Sequence, residues 1–406
     1  MCSKRKYTII ECCDILNNLR IAINDEIRQT MQGNIPYYGA NGVQGYIDKY
    51  IFDEDLILLA EDGGNFEEYH TKPIAYKISG KSWVNNHAHI LRAKQDFNQN
   101  YIFYSLVHKN ITKYLNSGTR SKLNRSELEK IEIDFPETKG EEDKIADILS
   151  TCDTAIEKTQ SAIAKYKVIK QGMLHDLFTR GIDIQTGKLR PHYKDAPELY
   201  KESKLGSIPK EWECEILISI IEIISGGTPS TQIKEYWDGE IPWLSVDDFN
   251  TGNRYPSKAA KKITEEGLKK SATNMLLPGM LIISARGTVG VIAQMKAPMA
   301  FNQSCYGLNT VNEYLSNDYL YYYLTFFIRF IGFKSYGSVF DVITRSSFDE
   351  VFIPINKKSD EQGMIVEKLT AIDTKLHSEQ SYLEKMQQIK KGLMEDLLSG
   401  KKRVEV

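Results

Sequence analysis

Two histidines and two acidic residues are the side chains of this sequence whose spacing comes nearest to a chemical site. His87 and His89 would face one side of a strand, where imidazoles can bind a transition metal. No third ligand series lies near them, so no metal site is predicted. Glu61 and Asp62 are adjacent and would face opposite sides of a strand, which argues against a paired-carboxylate site. No Ser/His/Asp or Cys/His constellation stands out, so no catalytic residue is predicted.

Three short segments look like cofactor loops but lack the required residues. GGTPST (226–231) and ARGTVG (285–290) have neither the lysine nor the spacing of the G-x-x-x-x-G-K-[ST] phosphate loop. NIPY (34–37) resembles the Asn-Pro-Pro-Tyr loop of adenine-N6 methyltransferases. Its second position differs, and no glycine-rich cofactor site precedes it, so we interpret it as a turn. A stand-alone adenine DNA methyltransferase is kept as an alternative hypothesis.

Composition indicates a globular protein with more than one domain. The 406 residues exceed the usual size of a domain with a single hydrophobic core. Of these residues, 41% are hydrophobic and 26% are charged. The net charge of −2 argues against nucleic-acid binding by overall charge, but it allows local basic faces. The six cysteines form no C-x-x-C pair, which fits free thiols in a reducing cytosol. No signal peptide and no membrane span is evident, so we expect a cytoplasmic protein.

An internal repeat organises the chain. VIKQGMLHDLF (168–178) and QIKKGLMEDLL (388–398) lie 220 positions apart and share their polar and apolar order. Each copy has a seven-residue hydrophobic period over more than four heptads, which favours a coiled coil over an ordinary amphipathic helix. The predicted seam residues are Leu149, Ile156, Ile163, Met173, Leu177, Leu369, Leu376, Leu383, Leu393 and Leu397.

Two features of the seam allow more than one interpretation. Lys170 and Lys390 occupy the same seam position, where a lysine either extends past the edge of the helix pair or fixes its register. Gly172 and Gly392 follow them, although glycine inside a helix costs about 0.5–1 kcal/mol relative to alanine. A close backbone approach or a bend would explain the glycines.

The repeat predicts a linear division into five parts. These are a first globular domain at 1–140, a long helix at 141–180, a linker at 181–212, a second globular domain at 213–357 and a second long helix at 358–400. The helices can bury each other's seams if they run antiparallel, with a globular domain at each end and a pseudo-two-fold axis. A helix of this length spans roughly 55 Å, or roughly 16 base pairs of DNA.

Each globular half is predicted to be α+β. Asn41-Gly42 is typical of a hairpin turn, and residues 55–60 read as a buried strand. Helices are predicted over 101–115 and 317–330. Basic residues outnumber acidic ones six to two in 101–130 and eight to two in 251–300. Such segments suit contacts to DNA phosphates.

Several segments and the duplicated frame together resemble the specificity subunit of a type I restriction–modification system. The segments are GNIPYYGANGVQGYI (33–47), WVNNHAHIL (83–91), LGSIPKEWE (205–213), SGGTPST (225–231), IPWLSVDD (241–248) and FNQSCYGL (301–308). The resemblance implies that each globular domain is a target recognition domain for one half of a bipartite, asymmetric DNA site. It also implies that the helices set the spacing and dock two methyltransferase subunits. A coiled-coil scaffold without DNA readout is the other alternative.

The resemblance further implies that this chain binds no cofactor. S-adenosylmethionine would bind to the methyltransferase subunits, while ATP and Mg²⁺ would bind to restriction/translocase subunits. Loop position and side-chain chemistry select the candidate DNA contacts. In the first domain these are Tyr37, Tyr38, Asn41, Gln44, Arg120, Lys122 and Arg125; in the second they are Thr228, Ser230, Arg286, Thr288, Lys334, Tyr336 and Arg345.

Overall fold

The computed structural model describes residues 5–116, 121–330, 342–357 and 360–405, and it describes the backbone alone at 334–335 and 338–339. The chain forms two compact units. Unit 1 contains residues 1–162 and 379–406, and unit 2 contains residues 163–378. Each unit therefore combines one globular half with segments of both long helices. The linear five-part division stays a prediction.

In the described part of unit 1, ten strands and four short helices precede the first long helix. The strands are β1 (Arg5–Thr8), β2 (Cys13–Ile15), β3 (Gln32–Gly39), β4 (Gly42–Ile47), β5 (Phe52–Asp53), β6 (Leu56–Ala60), β7 (Ala75–Ile78), β8 (Lys81–Val84), β9 (Ala88–Ala93) and β10 (Glu132–Phe135). The helices are α1 (Ile9–Cys12), α2 (Asp25–Thr30), α3 (Gln99–Leu106), α4 (Arg125–Leu128) and the long α5 (Lys139–Thr179), which continues into unit 2.

These strands form two four-stranded sheets and one ribbon. One sheet has the order β2-β9-β6-β7, the other has the order β4-β3-β8-β5, and β1 pairs with β10. Within the second sheet, β3 and β8 run parallel, with Tyr37 opposite Trp83. Because they are parallel neighbours, their carboxyl ends meet at one edge of the sheet.

Unit 2 contains the remaining strands and helices. The strands are β11 (Tyr200–Ser203), β12 (Gly206–Pro209), β13 (Glu213–Ile216), β14 (Ile221–Ser225), β15 (Trp237–Leu244), β16 (Lys261–Ile263), β17 (Met275–Leu276), β18 (Leu281–Ser284), β19 (Ile292–Gln294), β20 (Met299–Phe301), β21 (Cys305–Thr310), β22 (Lys334–Ser335), β23 (Ser338–Val339) and β24 (Phe352–Ile355). The helices are α6 (Val246–Phe249), α7 (Glu265–Lys269), α8 (Asn317–Phe330) and the long α9 (Glu361–Leu393), which continues into unit 1 and ends in a π-helical turn (Met394–Leu398).

The two units repeat the same topology. The sheets of unit 2 have the orders β14-β21-β18-β19 and β16-β15-β20-β17, and β13 pairs with β24. Each matches its counterpart in unit 1 strand for strand, including the parallel pair β15–β20. The repeat seen in the helices therefore extends through both globular parts, although their sequences diverge toward the N-termini. The predicted mixture of strands and helices in two repeated parts with long helices is confirmed.

Several predicted elements are confirmed, and one is too long. The Asn41-Gly42 hairpin joins β3 to β4, with Gly42 at φ +116°. The strand predicted at 55–60 is β6, and the helix predicted at 317–330 is α8. The helix predicted over 101–115 is wrong beyond Leu106. The Val107 carbonyl accepts a hydrogen bond from the Ile74 amide, 2.9 Å away, so it is engaged outside the helix.

The long helices bury the predicted seam. All ten seam residues are buried or half-buried. In unit 1, Leu397 near the C-terminal end of the second helix packs with Ile145 and Leu149 near the start of α5. In unit 2, Leu177 packs in one core with Ile365 and Leu369 near the start of α9. In each unit the end of one helix thus meets the start of the other.

The two glycines inside the helices have open surroundings. A Cβ atom placed on Gly172 or Gly392 would meet no atom within 4 Å, and both residues are exposed. Close backbone approach therefore does not explain either glycine. Gly392 lies two residues before the π-helical turn, whereas Gly172 lies inside α-helix on both sides.

The predicted linker at 181–212 is ordered within unit 2. Strands β11 and β12 pair as a hairpin. Arg190 donates to both carboxylate oxygens of the fully buried Glu361, at 2.5 and 3.0 Å. The indole Nε1 of Trp212 donates to the same carboxylate, 2.8 Å away. These donors satisfy a buried charge at the first residue of α9, which anchors the linker to that helix.

No helix in the described part of the chain is both long enough and apolar enough to cross a membrane.

Candidate nucleic-acid interface

In unit 1 the loops that follow the parallel strands β3 and β8 lie side by side. The Asn85 amide, after β8, donates to the carbonyl of Tyr38 near the end of β3, 3.0 Å away. The Asn85 side-chain oxygen accepts from the His87 amide at 2.8 Å, which shapes the turn before β9. Polar side chains from two loops are thereby brought to one edge of the sheet.

The β3–β4 hairpin adds two predicted contact residues to this edge. Gln44 is exposed, and its side-chain oxygen accepts from the Asn85 side-chain amide at 3.1 Å. Asn41 is also exposed and donates to the Gly63 carbonyl, 2.8 Å away. Amide side chains of this kind can donate to and accept from base edges.

A charge cluster lies beside these amides. Glu61 forms ion pairs with Arg20 at 2.7 Å and with Lys122 at 3.2 Å. Burial raises the pKa of Glu61, but the Arg20 hydrogen bond and the neighbouring charges outweigh burial and hold that pKa below its ordinary value. Lys122 is 46% exposed, so its ammonium group reaches solvent while Glu61 holds it in place. Arg125, at the start of α4, is exposed and pairs with Glu129.

His89 fixes the position of the chain just after Lys122. Its ring is fully buried; Nε2 lies 2.7 Å from the Leu123 carbonyl and Nδ1 lies 2.8 Å from the Asn17 side-chain amide. A carbonyl can only accept, so Nε2 carries the proton and Nδ1 accepts from Asn17. Burial lowers the pKa of His89, which favours this neutral form.

Unit 2 builds the same arrangement with other side chains. The Asn302 amide, after β20, donates to the Leu244 carbonyl at the end of β15, 3.0 Å away. The Asn302 side chain accepts from the Ser304 amide at 3.1 Å, as Asn85 does from His87. Beside this turn, the exposed Thr228 donates to the side-chain oxygen of Gln303.

Four further predicted residues of unit 2 are exposed: Ser230, Arg286, Thr288 and Arg345. The Ser230 carbonyl accepts from the Trp237 indole at 3.1 Å. Arg286 and Thr288 belong to the turn between β18 and β19, where the Ser284 hydroxyl donates to the Thr288 carbonyl at 2.5 Å. Arg345 begins a 3₁₀ helix at the position that Arg125 has in unit 1.

Not every predicted contact residue reaches this edge. Tyr37 is 2% exposed, and its ring packs with Ile47 and Trp83, so it belongs to the core. Tyr38 is half-buried and packs against a cluster of buried residues that includes Leu58 and Val84. Arg120 and Tyr336 lie outside the described residues, and at Lys334 only the backbone is described. The assignment of individual DNA contacts stays a prediction.

The predicted DNA contacts do not include the asparagines of the two turns, Asn85 and Asn302. Asn85 and Asn302 occupy equivalent positions, each between a strand that ends in a buried apolar residue and the strand that follows. The signal was available in WVNNHAHIL and FNQSCYGL, which both place asparagine directly after an apolar run. Neither segment contributed a contact residue to the prediction.

The structure also corrects the interpretation of NIPY. Residues 34–37 are not a turn, because they lie in β3 and pair with β4. Among the described residues, no group of three or more His, Cys, Asp and Glu side chains could hold a metal ion. His87 instead pairs with Asp62 at 2.7 Å.

A comparison with known protein families identifies the family of this chain. The family model for the type I restriction modification DNA specificity domain matches residues 4–165 and again residues 209–388. The chain belongs to this family. Each match covers one globular half and part of a long helix. Membership confirms the predicted function, a DNA-recognition subunit of a type I system, and a non-catalytic role for the chain itself.

Individual relatives agree with the family. The type I restriction enzyme MjaIX specificity subunit of Methanocaldococcus jannaschii is 31% identical over 193 residues, which cover 47% of this chain and 44% of the relative. The chain thus spans less than half the length of that relative. The MjaVIII specificity subunit of the same organism is 24% identical over 403 residues, which cover 93% of this chain and 88% of the relative.

Solved structures show the same fold. The type I restriction–modification S subunit from M. genitalium superposes with a TM-score of 0.65 at 17% identity, over 98% of this chain and 96% of that one. A chain from a structure of a type I system, described in terms of complex assembly and conformational transition, superposes with a TM-score of 0.53 at 14% identity. That match covers 97% of both chains.

Proposed function

We propose that each unit reads one half of a bipartite DNA site through the loops at the carboxyl ends of its parallel strand pair. One observation carries this proposal: both units place an asparagine turn at the same edge, but they surround it with different side chains. Unit 1 presents Asn41 and Gln44 there, and unit 2 presents Thr228 and Gln303. Different side chains on one frame favour two different half-sites, and therefore an asymmetric target.

The two long helices then set the spacing between the half-sites. In this proposal they form an antiparallel coiled coil that relates the units by a pseudo-two-fold axis. The seven-residue period and the burial of the seam in each unit support it. A fixed helical spacer would give the target a fixed gap.

The helices also provide the surface for partner subunits. Two methyltransferase subunits with S-adenosylmethionine and restriction/translocase subunits with ATP and Mg²⁺ would supply the chemistry. The complex would act on double-stranded DNA in the cytoplasm, where a reducing environment keeps cysteines as thiols. The five cysteines that the structure describes are all free.

Methylation mapping tests this function directly. Genomic DNA from cells that express this chain with its methyltransferase subunits should carry methyl groups at a split, asymmetric motif with a constant gap. Cells that lack this chain provide the control and should lose methylation at that motif. Methylation without sequence preference would contradict the proposal and favour a scaffold. Tight S-adenosylmethionine binding by the chain alone would favour the stand-alone methyltransferase.

A further inference from the structure

Unit 1 contains an open cavity of about 920 Å³ between the end of α3 and its segments of the two long helices. Its floor is apolar and consists of Ile156, Met394 and Leu398, which are half-buried. Its size is in the range of sites that take a ligand or a large side chain, and such sites are mostly apolar with a few polar groups.

The rim of the cavity carries an excess of positive charge. Lys109 and Lys391 line it and form no ion pair with any described residue. Asp153 also lines the cavity, but Lys390 and the Tyr104 hydroxyl already engage it, and Glu395 is an exposed acid at the edge. Burial lowers the pKa of Lys109, so an incoming carboxylate would stabilise its charged form.

The corresponding place in unit 2 is filled by aromatic rings. There α8 continues to Phe330, and Phe326 stacks on Phe178 with ring centroids 5.5 Å apart. His175 packs edge-on against Phe330 at 5.7 Å. In the 220-residue repeat, His175 and Phe178 correspond to Glu395 and Leu398, which line the cavity in unit 1.

These rings are missing from unit 1 for two reasons: α3 ends earlier than α8, and Glu395 and Leu398 stand where unit 2 has His175 and Phe178. Tyr104 in α3 and Tyr322 in α8 are equivalent, since each donates to the repeated aspartate, Asp153 or Asp373. Four residues beyond these tyrosines, unit 2 has Phe326, and unit 1 has His108, which lies after the end of α3. The cavity is therefore the space that an aromatic helical turn occupies in the other half of the molecule.

We propose that this cavity docks the methyltransferase subunit by accepting an aromatic side chain flanked by a carboxylate. The filled counterpart in unit 2 specifies the aromatic ring, and Lys109 and Lys391, which have no ion-pair partner among the described residues, specify the acid. The inference rests on the proposed function, because it names the chemistry of a docking surface on the helices. It adds that the two docking sites differ, since unit 2 offers a filled surface.

Charge reversal on the rim tests the docking site. The methyltransferase subunit of the same system is titrated onto the full chain, and the number bound is read by native mass spectrometry. The variant with Lys109→Glu and Lys391→Glu should bind one of two methyltransferase subunits about 10- to 100-fold more weakly. The control is Gln171→Glu, which places a glutamate at the repeat position of Lys391 and should leave both subunits bound.

A second variant fills the cavity without changing charge. Ser105→Trp places a large ring in the cavity from a half-buried position and should weaken the same single binding event. Unchanged binding of both subunits by the double lysine variant and by Ser105→Trp would overturn the inference, as would equal loss of both subunits. If the wild-type chain itself bound no methyltransferase subunit, the proposed function would fail instead.

Discussion

Lys170 forms an ion pair with Asp373, with its Nζ 2.5 Å from the carboxylate Oδ1. The two residues belong to different long helices and are each about one-fifth exposed. The Tyr322 hydroxyl donates to the other carboxylate oxygen at 2.9 Å, and Lys170 lies 5.9 Å from the centre of the same ring. A seam lysine is therefore accommodated because an acid and an aromatic ring from neighbouring elements enclose its charge.

Unit 1 repeats this triad with its own residues. Lys390 pairs with Asp153, Tyr104 donates to Asp153 at 2.5 Å, and Lys390 lies 5.3 Å from the Tyr104 ring. Both lysines and both aspartates are related by the 220-residue repeat. A lysine that can pair with only one position of the facing helix favours a single register, so the contacts support a register role over extension past the edge.

Removal of the seam lysine should destabilise the chain. Lys170→Met leaves the Asp373 carboxylate half-buried without its cation, so we expect a loss of about 1–3 kcal/mol in the free energy of unfolding. Urea unfolding of the full chain measures this loss. The control is Lys167→Met at an exposed position of the same helix, which should change stability by less than about 0.5 kcal/mol. Equal stability of the two variants would contradict the triad's role.

Replacement of the helix glycines should have the opposite effect. Gly172→Ala adds a methyl group that meets no atom within 4 Å, and alanine loses less backbone entropy on folding. We expect about 0.5–1 kcal/mol of stabilisation, read as a higher urea midpoint. Gly392→Ala is the matched variant beside the π-helical turn. If Gly172→Ala lowered the midpoint, a bend or an unbound partner surface at this position would have to explain the glycine.

The helices could be predicted from the sequence better than the sheets. A seven-residue period identifies both long helices because apolar residues seven positions apart lie on the same face of a helix, two turns apart. The partner of Lys170 could not be predicted, because the sequence of one helix does not state which residue of the other faces it. The end of α3 could not be predicted for a similar reason, since the Ile74 amide that donates to the Val107 carbonyl lies just before β7, far from α3 in sequence.

The candidate interface was predicted only in part. Asn41 and Gln44 lie where the hairpin turn signal placed them. Tyr37 was chosen for its chemistry, but alternation along β3 turns its ring into the core. Asn85 and Asn302 each follow an apolar run, which is a local signal. Their place beside the end of the neighbouring strand depends on the parallel pairing of strands far apart in sequence, which no local signal shows.

The stability of the chain should depend on pH through His89. Burial holds the folded pKa of His89 below its ordinary value of 6.5, so the unfolded chain binds the extra proton as pH falls. The contribution of neutral His89 to the free energy of unfolding is complete above about pH 6.5 and is lost as pH falls below that value. Urea unfolding at pH 7.5 and pH 5.5 gives the free energy of unfolding at each pH. The difference between the two values should be smaller for His89→Gln than for wild type. The control is His70→Gln at an exposed position, which should retain the wild-type difference in the free energy of unfolding. The same difference in all three proteins would contradict a neutral buried ring at His89.

Variants of the candidate interface should separate reading from packing. Gln44→Ala removes an exposed amide at the edge of unit 1, so discrimination at one base pair of one half-site should fall by about 10- to 100-fold. Tyr37→Phe removes only a hydroxyl that contacts the Ile23 carbonyl at 3.4 Å in the core, so the methylated motif should stay unchanged. Methylation mapping of both variants tests the pair. A change in the other half-site, or in the gap, would contradict assignment of one half-site to each unit.

Shortening both long helices together should change the gap and nothing else. Residues 157–163 and 380–386 are one heptad each, and their removal retains the pairs Lys170–Asp373 and Lys390–Asp153 on either side. Seven helical residues span about 10 Å, so the gap between the half-sites should shrink by about three base pairs. Methylation mapping reads the gap, and both half-sites should be unchanged. Removal of 157–163 alone is the control: it leaves the facing helix one heptad too long, so it should abolish specific methylation rather than shift the gap. An unchanged gap in the matched deletion would mean that the helices do not set the spacing.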